Sequence, residues 1–350
     1  MKPNNNQLQN IKLDINSFSL YLNSVGGHSL FIEISPQYLI KSSNDNEINF
    51  YSSTKSSLNF KSHCCPNFIG VINENTSQFN IIENYVNQCK NFFRIFVKKM
   101  NIKSSDIDIE NNINFENNFN SFLNESENIS INNLNPSFKK LEETLIDFFY
   151  NSKNKLKWIL FSFIKWRNHF LLNKFLILQN LTFNMKNPAI LDIKLGSFTK
   201  ISKKDNKTIK KYEGASKEIG CRIMGIQKGN IFKNRYDTKN YSLNQFKNEI
   251  SQFFHSNNLL INKTINESLK VINEFEMKVK INLKFSSLLI VYDDTKNNEN
   301  IDINLIGFAF LGEKNKININ NDLVSSMKKF VLILDEFKKN ENNNVLINRK

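Results

Sequence analysis

The stretch from Pro188 to Gly196 contains two charged residues whose types and spacing could do chemistry. Asp192 and Lys194 lie two positions apart in an apolar run that predicts a β-strand, so both side chains should point to the same face. A buried face does not readily accept both charges unpaired. At a strand end followed by Gly196 they could line a cleft, although the spacing alone favours a simple surface ion pair.

The overall charge favours an anionic partner but does not identify it. Forty-seven Lys and Arg against 33 Asp and Glu give a formal charge of +14. Such a surplus suits nucleic acid, a membrane surface or a highly phosphorylated small molecule. Asn and Lys are enriched along the whole chain, and no recognised nucleic-acid-binding module is present. We therefore expect no nucleic-acid partner, and the charge by itself decides nothing further.

Cysteine spacing favours a reducing compartment, and hydropathy predicts neither a signal peptide nor a membrane span. The four cysteines show no C-x-x-C spacing and the four histidines form no local cluster, so neither structural zinc nor a disulfide framework is expected. The first residues, Met1 to Asn4, lack the apolar run of a signal peptide. The most apolar stretch, Trp158 to Leu178, is interrupted by charged and amide side chains, so no membrane span is expected. We predict a cytoplasmic and/or nuclear location.

The first half of the chain has the pattern of a small sheet with helices. Alternating residues in 12–33 around the Val25 to Ser29 turn predict a β-hairpin, because glycine allows positive φ there. The segment 101–135 is rich in Asn, Ser and Glu and predicts a low-complexity, disordered insertion. Further strands are predicted at 38–41, 68–72 and 174–181, and helices at 77–100, 141–150 and 156–170.

The second half mixes strands and helices. Ser242 to Gln245 is a capping box that begins an amphipathic helix. Other helices are predicted at 269–279 and 323–337, and strands at 190–193, 218–227, 231–236, 287–292 and 301–310. This order predicts an α+β protein with two lobes and a cleft at the connector between them.

Five blocks of residues, in one order along the chain, resemble the inositol polyphosphate kinase family. Pro188 to Gly196 contains every fixed position of the family signature P-x-x-x-D-x-K-x-G. The order of the blocks makes the resemblance firmer than any block alone, and it is nearest the inositol hexakisphosphate kinase branch. The other four blocks are Val25 to Ser29, Leu178 to Leu181, Ile219 to Gln227 and Ser286 to Asp293.

The resemblance implies a kinase-like fold with an ATP cleft between two lobes, at 1–178 and 179–350. It implies that Lys41 touches ATP phosphates, as its compact charge suits, with Glu47 as its acidic partner. The hinge would present backbone groups of Gln179 and Leu181 to adenine. Asp192 would accept hydrogen bonds from the ribose hydroxyls.

The resemblance also implies a polyanionic substrate, an inositol polyphosphate. Lys194 would bind its phosphate oxygens and stabilise the transferring phosphoryl group, which makes it the candidate catalytic residue. Six further lysines could supply counter-charge, although a solvated loop explains each of them equally well. These are Lys200, Lys203, Lys204, Lys207, Lys210 and Lys211.

One position departs from the family where the metal should bind. The family has Ile-Asp-Phe-Ala-His, whose Asp holds the Mg²⁺ that bridges the ATP phosphates, and here Gly307 and Phe310 replace the Asp and the His. Mg²⁺ demands oxygen ligands, and phosphoryl transfer depends on charge neutralisation. Asp302 should face the opposite side of its strand. Asp293, at the end of the neighbouring strand, is the better substitute.

Two functions follow as hypotheses. The first is an ATP- and Mg²⁺-dependent inositol polyphosphate kinase. The second is a catalytically impaired pseudokinase that binds nucleotide or inositol phosphates as a sensor or scaffold, because the departures cluster near the chemistry.

Overall fold

The computed structural model shows an α+β protein, as predicted, with one five-stranded antiparallel sheet in each of two compact units. The first unit comprises Met1–Asn44 and Asn67–Phe183, and the second comprises Asp45–Pro66 and Asn184–Lys350. The structure describes residues 13–25, 31–56, 64–109, 113–124, 136–166, 174–196, 214–255, 257–277, 283, 286–295, 301–308 and 321–347.

The sheet of the first unit confirms the predicted hairpin, since its first two strands pair antiparallel. One face contributes to the core, because Ile40, Ile72 and Ile177 on it are each completely buried. In spatial order the strands are β1 (Ser19–Tyr21), β2 (Phe31–Ser35), β3 (Tyr38–Ser42), β5 (Lys174–Gln179) and β4 (Phe68–Asn73).

The helices of the first unit build a core from phenylalanine, which accounts for part of the abundance of this residue. Phe93 and Phe163 approach to 4.2 Å between ring centroids, and Phe92 stacks on Phe138 at 5.0 Å. Large rings bury much apolar surface and pack in preferred geometries. The helices are α2 (Ser77–Lys99), α3 (Ser104–Ile107), α4 (Ile113–Asn124), α5 (Ser137–Asn151) and α6 (Lys153–Trp166).

The prediction of a disordered insertion at 101–135 is wrong for the part that the structure describes. Helices α3 and α4 occupy much of it. Phe115, Phe119 and Phe122 recur at helical spacing and are all buried, and Phe115 stacks on Phe161 at 5.0 Å. The Asn-rich composition concealed an apolar stripe that a neighbouring helix can cover. Residues 125–135 lie outside the described part.

The sheet of the second unit has the signature strand at its centre. Strand β6 (Pro188–Leu195) pairs with a strand on each side. In spatial order the strands are β10 (Ile301–Ile306), β9 (Ser287–Asp293), β6, β7 (Cys221–Lys228) and β8 (Ile231–Asn234).

Helices cover one face of this sheet. The Cys221 thiol donates to the carbonyl of Ser326 at 3.2 Å, and the Tyr292 hydroxyl donates to the carbonyl of Phe253 at 2.6 Å. These contacts join strands β7 and β9 to two of the helices. The helices of the unit are α1 (Asp45–Ser56), α7 (Ala215–Ile219), α8 (Arg235–Thr238), α9 (Leu243–Phe254), α10 (Asn258–Met277) and α11 (Asn321–Ile347).

Several predicted segments change length or type at their ends. The segment 218–227 begins in helix α7, which ends where Gly220 takes a φ of 71°. The segment 231–236 becomes helix α8 after Asn234, whose side chain accepts from the Tyr236 amide at 2.8 Å. The predicted capping box is confirmed, because Ser242 and Gln245 exchange both hydrogen bonds.

The predicted lobe boundary at 178/179 differs from the observed division, because residues 45–66 belong to the second unit. Helix α1 was not predicted, since its residues are mostly polar. Phe50 stacks on Phe308 at 3.8 Å between centroids, and Tyr51 meets the same ring edge-on at 5.4 Å. The carbonyl of Cys64 accepts a 2.7 Å hydrogen bond from the Leu305 amide. These contacts hold the segment to strand β10.

Candidate functional site

Asp192 and Lys194 lie on the same face of strand β6, at the centre of the second sheet. Asp192 pairs with Leu289 and Gly225 on the two flanking strands, and Lys194 pairs with Ser287 and Arg222. Residues opposite one another in antiparallel strands share a face. We call the group Asp192, Lys194, Arg222, Ser287 and Asn304 the Asp192 face; Asn304 joins it through its pairing with Leu289.

The Asp192 carboxylate is buried, with 4% of its surface exposed. Burial raises its pKa from 3.8 to about 6, against the charges of Lys194 and Arg222 and a hydrogen bond from Ser287. Its Oδ1 atom is buried and accepts no hydrogen bond from any residue that the structure describes. Leaving such an oxygen unsatisfied costs about 1–3 kcal/mol. The geometry therefore leaves a place for a ligand hydroxyl or N–H donor.

Lys194 and Arg222 form a like-charged pair across strands β6 and β7. Like charges directly opposite one another destabilise a sheet, so this pairing is costly without a nearby anion. Asp192 supplies one negative charge within reach of both. Arg222 lies in one of the five family blocks, but its place in the site could not be predicted, because the strand register that brings it beside Lys194 is not visible in the sequence.

Two features favour glycine at the last position of the signature: its backbone conformation and a carboxylate close to it. Gly196 has a φ of +103°, a conformation that side chains rarely allow. A Cβ atom added there would lie 3.0 Å from Oδ2 of Asp322. Strand β6 ends at Leu195, and the glycine that follows it fits where a side chain would meet the Asp322 carboxylate.

The hinge residues lie in the first unit, where their polar groups hold the turn after strand β5. The Gln179 amide donates to the Asn67 carbonyl at 2.9 Å, and Asn180 accepts from both the amide and the hydroxyl of Thr182. The amide of Gln179 is thus already engaged. None of the hydrogen bonds found for the described residues involves the Leu181 amide. The adenine contacts of Gln179 and Leu181 stay a prediction.

The remaining predicted nucleotide residues are placed as follows. Lys41 lies on strand β3, opposite Leu176 and partly exposed. Glu47 lies on helix α1 of the second unit and is 2% exposed. The six lysines from Lys200 to Lys211 and the glycine turn at 26–29 lie outside the described residues. Their roles stay predictions.

The position expected to hold the metal offers no side-chain ligand. Gly307 follows strand β10 with a φ of +80°, and its carbonyl accepts from the Ser286 hydroxyl at 3.4 Å. Within the part of the chain that the structure describes, no three His, Cys, Asp or Glu side chains are grouped to hold a metal ion. The residues that the structure describes therefore do not form a site for Mg²⁺, which prefers several oxygen ligands.

Asp293, the predicted substitute ligand, does not suit the role. It pairs with Pro188, six residues along β6 from Lys194 and hence roughly 20 Å away. Burial opposes its ionisation, but hydrogen bonds from Thr295 and from the Lys186 and Asn187 amides hold the pKa of Asp293 well below its usual range. Its oxygens thus anchor the turn that leads into strand β6.

The comparison with known families matches the segment that contains this site. Residues 175–335 match the model of the inositol polyphosphate kinase family. This segment is therefore similar to the inositol polyphosphate kinase family. The match begins at strand β5, so it includes the hinge, the signature strand and the Gly307 position.

Two human proteins are similar to part of this chain. Inositol hexakisphosphate kinase 2 of Homo sapiens is 31% identical over 150 residues, which are 39% of this chain and 34% of that protein. Inositol polyphosphate multikinase of Homo sapiens is 27% identical over 133 residues, 34% of this chain and 32% of that protein. The similarity thus spans about a third of each relative.

Among solved structures, one inositol phosphate multikinase, from S. cerevisiae and in complex with ADP and Mn²⁺, aligns with 47% of this chain and 84% of its own. The TM-score is 0.39 and the sequence identity is 18%.

Among the helices that the structure describes, none is long and apolar enough to cross a membrane.

Proposed function

We propose that the protein is an ATP-dependent inositol polyphosphate kinase, which transfers a phosphoryl group from ATP to an inositol phosphate. The observation that carries the proposal is the Asp192 face, where a buried carboxylate with an unsatisfied oxygen lies beside two cations. It belongs to the segment that matches the kinase family. The proposed partners are inositol polyphosphates rather than nucleic acid.

For phosphoryl transfer, the protein mainly has to position two anionic substrates and to neutralise their charge. The γ-phosphoryl group passes to an oxygen of the inositol phosphate, which loses its proton, while ADP leaves with the bridging oxygen. Lys194 and Arg222 would donate to phosphate oxygens as charge develops. Asp192 would accept a hydroxyl hydrogen bond at Oδ1 and so orient the nucleotide or the substrate. No step is assigned to Mg²⁺, because the described residues do not fit it.

The direct test is turnover. ATP consumption and labelled product are measured with inositol hexakisphosphate and with less phosphorylated inositol phosphates, across several divalent metals. Lys194→Ala should reduce turnover at least ~100-fold, because it removes an electrostatic contact in the transition state. Lys270→Ala is the matched control, since that lysine pairs with Glu267 on the surface. Absence of turnover with every substrate and metal would exclude the kinase proposal.

A second candidate is a pseudokinase that binds nucleotide or inositol phosphates without turnover. Gly307 favours it, since glycine supplies no side-chain oxygen where the family has its metal-binding Asp. It predicts a higher melting temperature with inositol hexakisphosphate but no product. Gly307→Asp should strengthen Mg²⁺-ATP binding, and Gly307→Asn provides the uncharged control. If neither ATP nor inositol hexakisphosphate changes the melting temperature, this candidate is excluded.

The proposed location is the cytoplasm and/or the nucleus. All four cysteines are buried and none forms a disulfide, as a reducing compartment allows. A fluorescent fusion expressed in the source cells would show the location directly.

A further inference from the structure

The corner between helices α5 and α6 of the first unit exposes an aromatic ring that the fold does not use. The buried residues of α5, Phe138, Leu141 and Leu145, follow helical spacing, and Phe148 continues the same stripe. Tyr150 lies off this stripe and is 69% exposed, the largest exposed fraction among the large apolar side chains that the structure describes. The packing of α5 therefore does not account for an aromatic residue at position 150.

The same corner carries a cluster of positive charge. Residues 148–157 contain three lysines and no acidic residue. Lys153 is exposed and Lys157 is partly exposed, and they lie one turn apart on the same side of α6. The acidic residue that precedes the cluster, Asp147, accepts a hydrogen bond from the Asn151 amide group at 2.7 Å.

These lysines do not favour the helix that carries them. A positive charge in the first turn opposes the helix dipole, and like charges four residues apart repel one another. The first turn of α6 contains no acidic residue that would offset this. An anionic partner at the corner would relieve the repulsion between Lys153 and Lys157.

Hydrogen bonds and ring contacts hold the corner in one shape. The Ser152 amide donates to the Phe148 carbonyl at 2.9 Å, and the Lys155 amide donates to the Ser152 carbonyl at 2.9 Å. The Lys155 ammonium lies 4.8 Å from the centre of the Phe148 ring, and Phe149 meets Tyr150 edge-on at 5.3 Å. The exposed ring and the lysines are thus presented together on one tight turn.

We propose that the α5–α6 corner binds an anionic membrane surface, with the Tyr150 ring at the level of the lipid headgroups and Lys153 and Lys157 at the lipid phosphates. A tyrosine suits the boundary of a membrane, because its ring is apolar and its hydroxyl is polar. Anionic lipids attract lysines close to the membrane surface. Single-stranded nucleic acid is bound in a groove with several stacking rings, whereas this corner is a tip with one largely exposed ring.

Co-sedimentation of the full chain with vesicles tests this proposal. Mixed phosphatidylcholine–phosphatidylserine vesicles should bind the protein, and pure phosphatidylcholine vesicles should bind much less of it. The double substitution Lys153→Gln and Lys157→Gln should weaken binding to the mixed vesicles at least ~10-fold. Its melting temperature should not fall, because the substitutions relieve repulsion within α6. Equal binding to both kinds of vesicle, or binding to neither, would overturn the proposal.

A second double variant separates this corner from the general positive charge of the chain. Lys270→Gln with Lys328→Gln removes the same charge from the surface of the second unit, where these lysines pair with Glu267 and Glu276. This control should bind the mixed vesicles as the natural chain does, whereas Tyr150→Ser should bind them more weakly. Equal weakening in the two double variants would overturn the proposal. Loss of RNA binding at unchanged vesicle binding in the Lys153 and Lys157 variant would also overturn it, in favour of nucleic acid.

Discussion

The two faces of the second sheet are built from alternate residues of the same strands, but one face is apolar and the other carries charged side chains. On one face Leu191 and Ile193 are completely buried, and helices α9 and α11 cover their neighbours. On the other face the intervening residues, Asp192 and Lys194, carry charge, and a carboxylate oxygen has no donor among the described residues. One face stabilises the fold, and the other holds a buried carboxylate oxygen that is unfavourable without a hydrogen-bond donor. Such local instability is typical of functional sites.

The largest effect on stability is expected on the apolar face. Leu191→Ala should lower the unfolding free energy by about 3 kcal/mol, because it leaves a cavity in a fully packed layer. Leu289→Ala, on the Asp192 face and only partly buried, is the matched control and should cost clearly less. Chemical denaturation of both variants measures the difference. Equal losses would show that the two faces are packed alike.

Removing the buried charge should change how the stability of the protein depends on pH. Burial raises the pKa of Asp192 to about 6, so between pH ~4 and ~6 the native state binds more protons than the unfolded state. The stability that the protonated carboxyl contributes is therefore lost as pH rises through 6. Asp192→Asn should remove this pH-dependent loss of stability while weakening ligand binding.

Denaturation at pH 4, 5, 6 and 7 measures this, with Asp302→Asn as the control. Asp302 also has a raised pKa but is exposed, so its substitution should change the profile less. If the wild type and Asp192→Asn lose the same unfolding free energy between pH 4 and pH 6, the account of the buried carboxylate is contradicted.

Both the alternation along β6 and the pair of charges could be predicted from the sequence, because a strand points residues two apart to one face. The strand register could not be predicted, and the register places both Arg222 and Ser287 opposite Lys194. Asp293 looked like a usable ligand because it ends the adjacent strand. In an antiparallel sheet that end lies beside Pro188, far from the lysine. Helix α4 was missed because Asn-rich composition outweighed a periodic set of phenylalanines.

A smaller effect is expected where the signature ends. Gly196→Ala should destabilise the protein by about 2 kcal/mol, because it combines an unfavourable φ with a close approach to Asp322. Gly229→Ala is the matched control, since it also has a positive φ but nothing within 4 Å of an added Cβ. Thermal melting of the two variants separates contact from backbone strain. A cost no greater at 196 than at 229 would mean that the Asp322 approach is unimportant.

The central claim is that the Asp192 face binds a phosphorylated ligand through Lys194. The most direct measurement is ATP affinity by calorimetry for the natural chain and for Lys194→Met, with melting temperatures confirming that both are folded. The account predicts that the natural chain binds ATP and that the variant binds at least ~10-fold more weakly. Equal affinity in the two folded proteins would contradict it.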